Sequence, residues 1–364
     1  MRRTFLLTAL VAASFALLAA CTPPPDPGMP AVSGVQVSDV ANATIGNAVT
    51  SRNIAIDEAF RVHVAFIDAD TLDVRAARSL DRGQAFGASS LVHDGAALTQ
   101  APAVSVATSG RDHVFLAFLD QDGALRVARS TDAGATWSAA QVVANGPFGG
   151  GESSTRQLSL TAFGARVYVA VQTMSMWLVR SDDFGATFDT VDTGIAPLAF
   201  WDVVVDPRNG HVIVIGDYED VFYVRSSDHG LTFGPVASPP DVEALYADAA
   251  IGPDGRVLIA SVNGLERLWD IDADTWSSVP SGELPQPEYA SGAIDADGVL
   301  HLLTRANLAT AVRLSSSDDG GATWATVKVA DGEEHDIAAA HRVRGAAYLV
   351  NDGGTVEYGF VPNP

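Results

Sequence analysis

The sequence predicts an all-β fold: seven four-stranded antiparallel units set around a common axis and closed by pairing the first and last strands of the chain. Three observations carry this. A pattern S-x-D-x-G-x-T-[WF] recurs, and the aspartates that anchor it, Asp81, Asp132, Asp183, Asp228, Asp272 (in a degenerate copy) and Asp319, are spaced by 51, 51, 45, 44 and 47 residues. That period has room for one four-stranded unit. Short apolar runs separated by Gly-, Asp- and Asn-bearing turns fit between the copies, as strands and hairpins do. Three strand-like runs after the last copy and one before the first complete a further unit.

In chain order, Met1-Arg2-Arg3 is a short basic start, and residues 4–18 are apolar apart from Thr4, Thr8 and Ser14. The run is too short for a permanent bilayer span and reads as a secretory signal. The residues Leu18-Ala19-Ala20-Cys21 that follow resemble the lipobox of bacterial lipoproteins. In that family the signal is cut before the cysteine, whose thiol then carries a diacylglycerol. The resemblance implies a signal peptide over 1–20, lipidation of Cys21, and a lipid-anchored protein of the bacterial cell envelope (outer membrane or outer leaflet), periplasmic or surface-exposed. Residues 21–31, with five prolines between Thr22 and Pro30, form a semi-rigid tether. The folded domain is expected over 32–364. Cys21 is the single cysteine, so an intrachain disulfide and Cys-based zinc or iron–sulfur sites are excluded.

Residues 32–40 are the first strand-like run. In the second repeat, residues 103–107, 113–119 and 125–129 read as strands separated by turns at 108–112 and 120–123. Residues 205–211 and 294–299 mark the same first hairpin in later repeats. The tail offers strands at 336–340, 346–350 and 356–361 and no motif. Pairing them with 32–40 makes a seventh unit and leaves no open sheet edge around the ring.

The fullest motif copy, Ser130-Thr131-Asp132-Ala133-Gly134-Ala135-Thr136-Trp137, is matched from Ser181, Ser226 and Ser317, and more weakly from Ser79. It resembles the Asp-box of sialidase-type (BNR-repeat) β-propellers. The resemblance implies a propeller with each box on the hairpin between a blade's third and fourth strands, away from the ligand-binding face. Sialidases are six-bladed; the tail argues for seven blades here, with six as the alternative. The chemistry is that of a turn: the carboxylate accepts from loop N–H groups and Gly supplies a positive φ. Asp81, Asp132, Asp183, Asp228 and Asp319 are therefore expected to be structural, as are Arg78, Arg129, Arg180 and Arg225, which each precede a box serine.

Acidic residues number 44 against 22 basic ones, a formal charge of −22. Loss of Arg2 and Arg3 with the signal would make it −24. Nucleic acid is excluded as a partner, because its binding needs Lys and Arg to displace counterions from phosphates; an electrostatic hold on anionic lipid is disfavoured likewise. No cofactor or metal is expected, and a monomer is. The Asp120–Gly123 and Asp295–Gly298 segments resemble the start of a calcium loop but lack the remaining ligands. His63 and His113 look like equivalent strand positions.

Ligands of such folds sit on the face built by second-to-third-strand loops and blade-to-blade crossovers. The expected ligand-binding set there is Trp201, Asp202, Tyr218, Tyr246, Asp248, Glu288 and Tyr289, rings and acceptors suited to a neutral sugar or polar peptide. A sialidase would also need three arginines to clamp a carboxylate, and a Tyr/Glu pair with an acid/base Asp. The family's Arg-Ile-Pro motif is absent; Arg52 is the nearest position, and Arg156 and Arg305 could complete a trio. The expected function is a membrane-anchored, non-catalytic recognition module for a glycan or envelope protein. An exo-sialidase or other glycoside hydrolase, and an assembly or scaffold factor, are the alternatives.

Overall fold

Strands buried on both faces read as near-continuous apolar runs. Val62–Asp68, buried at every position, is the clearest case. The structure, a computed structural model, describes residues 28–45, 52–95, 103–146, 148, 158–196, 198, 200–218, 220–239, 248–261, 266–279, 287–306, 310–332, 334–338 and 343–363. It is a seven-bladed β-propeller.

Blade 1 is Ile54–Ile56, Val62–Asp68, Asp73–Ser79 and Ser90–His93, with Ala43–Thr44 added beside Val62–Asp68 in line with the innermost strand. Blades 2 and 3 run from Val104–Ser109 to Gln141–Ala144 and from Ser159–Phe163 to Asp189–Asp192. Blade 4 has Phe200–Val205, Val212–Tyr218 and Asp220–Ser226; among the described residues its fourth position is a single bridge, Tyr223 to Ala237. Blades 5 and 6 run from Asp248–Ile251 to Thr275–Ser278 and from Pro287–Ile294 to Ala325–Asp331. In blade 7, Glu334–Ala338, Gly345–Asp352 and Thr355–Pro362 are completed by Val32–Gln36, with Val32 opposite Phe360 and Gln36 opposite Glu357. The innermost strands touch in ring order, blade 7 meeting blade 1. Seven apolar clusters fill the seven gaps between neighbouring blades.

The repeated motif forms the third-to-fourth-strand turn in blades 1 to 6, in degenerate form in blade 5. In blade 2 the Ser130 hydroxyl donates to Asp132 at 2.7 Å and accepts from Gly134 N–H at 2.8 Å. Asp132 accepts the Thr136 N–H at 2.8 Å and its hydroxyl at 2.6 Å. Hydrogen bonds from Thr136, with Ser130, lower the Asp132 carboxyl to about 2. The turns of Asp183, Asp228 and Asp319 repeat this geometry, and Asp81 keeps the bonds to Ser79 and Ala85.

Each turn also joins two blades. Arg78 donates to the Ala133 carbonyl of the next blade at 3.0 Å, Arg129 to Phe184, Arg180 to His229 and Arg225 to Ile271. The motif aromatics Phe86, Trp137, Phe188, Phe233, Trp276 and Trp324 pack into the gap toward the preceding blade. The motif glycine is pressed against that same blade: a Cβ on Gly230, at φ +78°, would lie 2.7 Å from Leu178 Cδ2.

Two expectations are corrected. In the degenerate copy the turn acceptor is Asp270, which takes the N–H groups of Asp272 and Ala273, while Asp272 pairs with Arg208 of blade 4 at 2.6 Å. And His63 lies opposite Arg78 as Phe115 lies opposite Arg129, so His63 matches Phe115, two places on from His113.

Candidate functional site: the central channel

Seven innermost strands surround a channel, and each is an edge strand whose outer N–H groups need partners. One buried polar residue per blade stands in or beside that strand: Asn53, Ser105, Ser159, Asp202, Asp248, Ser291 and Asp336. Several of them reach the next blade. Ser159 accepts Val203 N–H at 3.1 Å, Asp202 accepts Ala249 N–H at 3.3 Å, and Asp248 accepts Gly292 N–H at 2.7 Å. Asp336 accepts Asn53 N–H at 2.6 Å, carrying the series across the ring closure.

Arg52 is the one cation among these groups. From blade 1 its guanidinium reaches across the channel to blades 4 and 5. It donates to Asp202 at 2.6 Å and to the Ala249 carbonyl, and lies 3.9 Å from Asp248. Burial pulls the guanidinium down, but Asp202 and Asp248 outweigh it and raise it above its ordinary value. Burial pushes the Asp248 carboxyl well up and that of Asp336 to about 7. Beside Asp336, burial and the charge of Arg305 lower His335 to about 4.

From Arg52 the channel widens into a cavity of about 770 Å³, within the usual range for a ligand pocket. Its walls are inner-strand residues, among them Ile54, Ala107, Leu160, Val204, Ile251 and Ala293. Its mouth is made by first-to-second-strand hairpins, including Glu58, Arg111, Asp112, His113, Ala165 and Pro207. In an antiparallel blade those hairpins share an end with the third-to-fourth-strand turns, and the two sets touch: Ala133 N–H donates to Asp112 and Phe184 N–H to Ala165. The cavity therefore opens on the motif-turn face, opposite the expected one. Asp57 at its rim is saturated by the N–H groups of Ala59 and Arg61, by Arg61 Nε at 2.6 Å and by His63 Nε2 at 3.2 Å.

The expected ligand set is not assembled into an open mouth by its described members. Trp201 is 1 % exposed, inside the blade 3–blade 4 core, with its indole N–H on the Ala170 carbonyl. Asp202 and Asp248 are buried and satisfied as above. Each is taken up by packing or by strand-edge hydrogen bonding. Tyr246 and Arg156 lie outside the described residues, as do the side chains of Tyr218, Glu288 and Tyr289. Arg305 sits near the end of the second strand of blade 6, opposite Tyr289. Aligned on their polar residue, the inner strands put Trp201 where Val104, Leu158 and Ala290 are buried, and also where Arg52 reaches into the channel; the apolar members of that position pack and the cation does not.

The Asp120 and Asp295 segments are hairpin turns. Asp120 accepts the N–H groups of Asp122 and Ala124 and pairs with Arg126, and Asp295 accepts those of Asp297 and Val299. Among the described residues no three His, Cys, Asp or Glu side chains are placed to hold a metal, and no helix is long and apolar enough to cross a membrane.

Solved propellers match over nearly the whole chain. YCF48 from Cyanidioschyzon merolae superposes with a TM-score of 0.57 at 14 % identity, covering 90 % of this chain and 98 % of its own. YCF48 bound to D1 peptide gives 0.56 at 15 %, covering 92 % and 98 %. A Hadza microbial sialidase, Hz136, gives 0.51 at 13 %, covering 90 % of this chain and 68 % of the sialidase. This chain shares their fold. The SapL1 lectin in complex with α-methyl fucoside also matches, with a TM-score of 0.51 at 14 % identity over 82 % of this chain and 99 % of the lectin. No protein-family model and no curated protein matches the chain.

Proposed function

We propose that this chain is a lipid-anchored recognition propeller of the bacterial cell envelope that binds a glycan or protein partner and does not hydrolyse it. One observation carries the choice between binding and hydrolysis. Arg52, the nearest position to the first sialidase arginine, is held across the channel by Asp202 and Asp248. A substrate carboxylate could claim it only by stripping two buried carboxylates of their cation. The net charge favours a neutral or cationic partner. The lipobox resemblance around Cys21 supports the anchor. Assembly or scaffold duty is a second reading, supported by the match, whole-chain in both directions, to a propeller solved with a bound peptide.

The test is a glycan and peptide array probed with the chain lacking residues 1–21, with turnover of a fluorogenic sialoside measured alongside. Saturable binding of a neutral or cationic ligand without turnover is expected. Sialoside turnover that disappears in Arg52→Ala, Arg156→Ala or Arg305→Ala would restore the hydrolase.

A further inference from the structure

We propose that the anchored chain stands with its motif-turn face, and with it the cavity mouth, toward the bilayer. This rests on the lipidation of Cys21 proposed above. The orientation follows from where the chain enters the fold. Val32–Gln36 runs antiparallel to Thr355–Pro362, so Val32 lies at the end where that third strand of blade 7 finishes. In the other blades that end carries the third-to-fourth-strand turn. Blade 7 has no motif because two chain segments, one arriving and one leaving, occupy its place.

The arriving segment is pinned to that face further upstream. Arg82, in the blade 1 motif turn, donates to the Gly28 carbonyl and sits over the Phe60 ring, 4.9 Å from its centroid. Met29 is 6 % exposed, in the core between blades 7 and 1. Six residues separate Gly28 from Cys21, and the seven Cα-to-Cα steps between the two, fully extended, reach roughly 25 Å. A seven-residue blade strand is itself about 23 Å tall, before its loops are added. Turning the opposite face to the lipid would use the entire tether merely to climb the outside of blade 7. The box carboxylates remain ionised, Asp132, Asp183 and Asp319 each being lowered to about 2 by hydrogen bonds from their own turns. The face therefore stands off anionic headgroups, and the tether length sets the gap.

The test uses the full lipidated chain in phosphatidylcholine vesicles containing a trace of acceptor-labelled lipid. With the Cys21 thiol acylated, a donor dye is placed on Thr131→Cys, exposed in the blade 2 motif turn, or on Met174→Cys, 87 % exposed in the opposite-face loop of blade 3. Energy transfer is expected to be several-fold stronger from position 131. Equal transfer, or stronger transfer from position 174, in chain that floats with the vesicles overturns the orientation alone. Chain that fails to float, and whose mass lacks the diacylglycerol, overturns the anchor.

Discussion

At the scale of single residues, the least replaceable side chain is Arg52. Removing it strands Asp202, fully buried, and Asp248, 6 % exposed, without their cation. Breaking a buried pair from one side costs about 3–5 kcal/mol, far more than the net worth of the pair. Arg52→Met is expected to lose stability on that order in urea titration, and Arg52→Met with Asp202→Asn to lose less than the sum of the two single changes. Strict additivity would show that the cross-channel contact carries no energy.

A second residue-scale prediction concerns pH. With Asp336 raised to about 7 by burial, the native state holds a proton there that the unfolded chain releases near the ordinary aspartate value. Its contribution is thus complete below pH 4 and fades as pH rises through 7. His335, lowered to about 4, works in the opposite sense: its contribution is present above 6.5 and fades as pH falls through 4. The stability advantage of wild type over Asp336→Asn should therefore shrink between pH 4.5 and 7.5, as read by chemical denaturation at each pH. A difference independent of pH would mean that Asp336 titrates normally. None of this was legible in the sequence. Arg52 meets its partner 150 positions away, and an aromatic such as Trp201 at the start of a strand reads alike whether it faces a ligand or a core.

At the scale of the element, the motif turn was legible almost atom for atom, because its chemistry is local: Ser, Asp, Gly and Thr satisfy one another within four residues. The blade-to-blade part was less so. That the Arg before four of the box serines donates to the next blade, and that the glycine touches the previous one, depends on neighbours about 50 residues away. The degenerate copy misled for the same local reason, since Asp270 and Asp272 look equally able to accept. Gly230→Ala should destabilise through two terms, a positive φ that costs a non-glycine residue about 1–2 kcal/mol and displacement of Leu178. Gly164→Ala, also at positive φ but with open space around it, should show the first term only. Equal losses in thermal unfolding would remove the steric part of the argument.

At the scale of the molecule, the blade number could be read because sheet edges must be covered: three tail strands and one leading strand had nowhere else to pair. Which face carries the cavity could not be read, because it depends on contacts across the channel between residues as far apart as Arg52 and Asp202. Deleting residues 28–37 should expose the edge of Thr355–Pro362 and leave Tyr358 and Phe360 partly uncovered. Exposed edges recruit further chains. Association in size-exclusion chromatography is expected, with partial reversal on adding a synthetic 28–37 peptide. A deletion variant that stays monomeric and melts like the full chain would show that closure does not depend on the leading strand.

The closing strand also decides how the fold meets mechanical load. A tug on the leading segment, away from the motif-turn face, runs along the axis of Val32–Gln36. Its bonds to Thr355–Pro362 are then strained together in shear, and cannot be peeled off one after another. Met29 in the core and the Arg82 grip on Gly28 act as a cleat ahead of that strand. Resistance to such a pull is a matter of unfolding rate rather than of equilibrium stability. The strand that closes the ring is also the one through which the whole domain would hang.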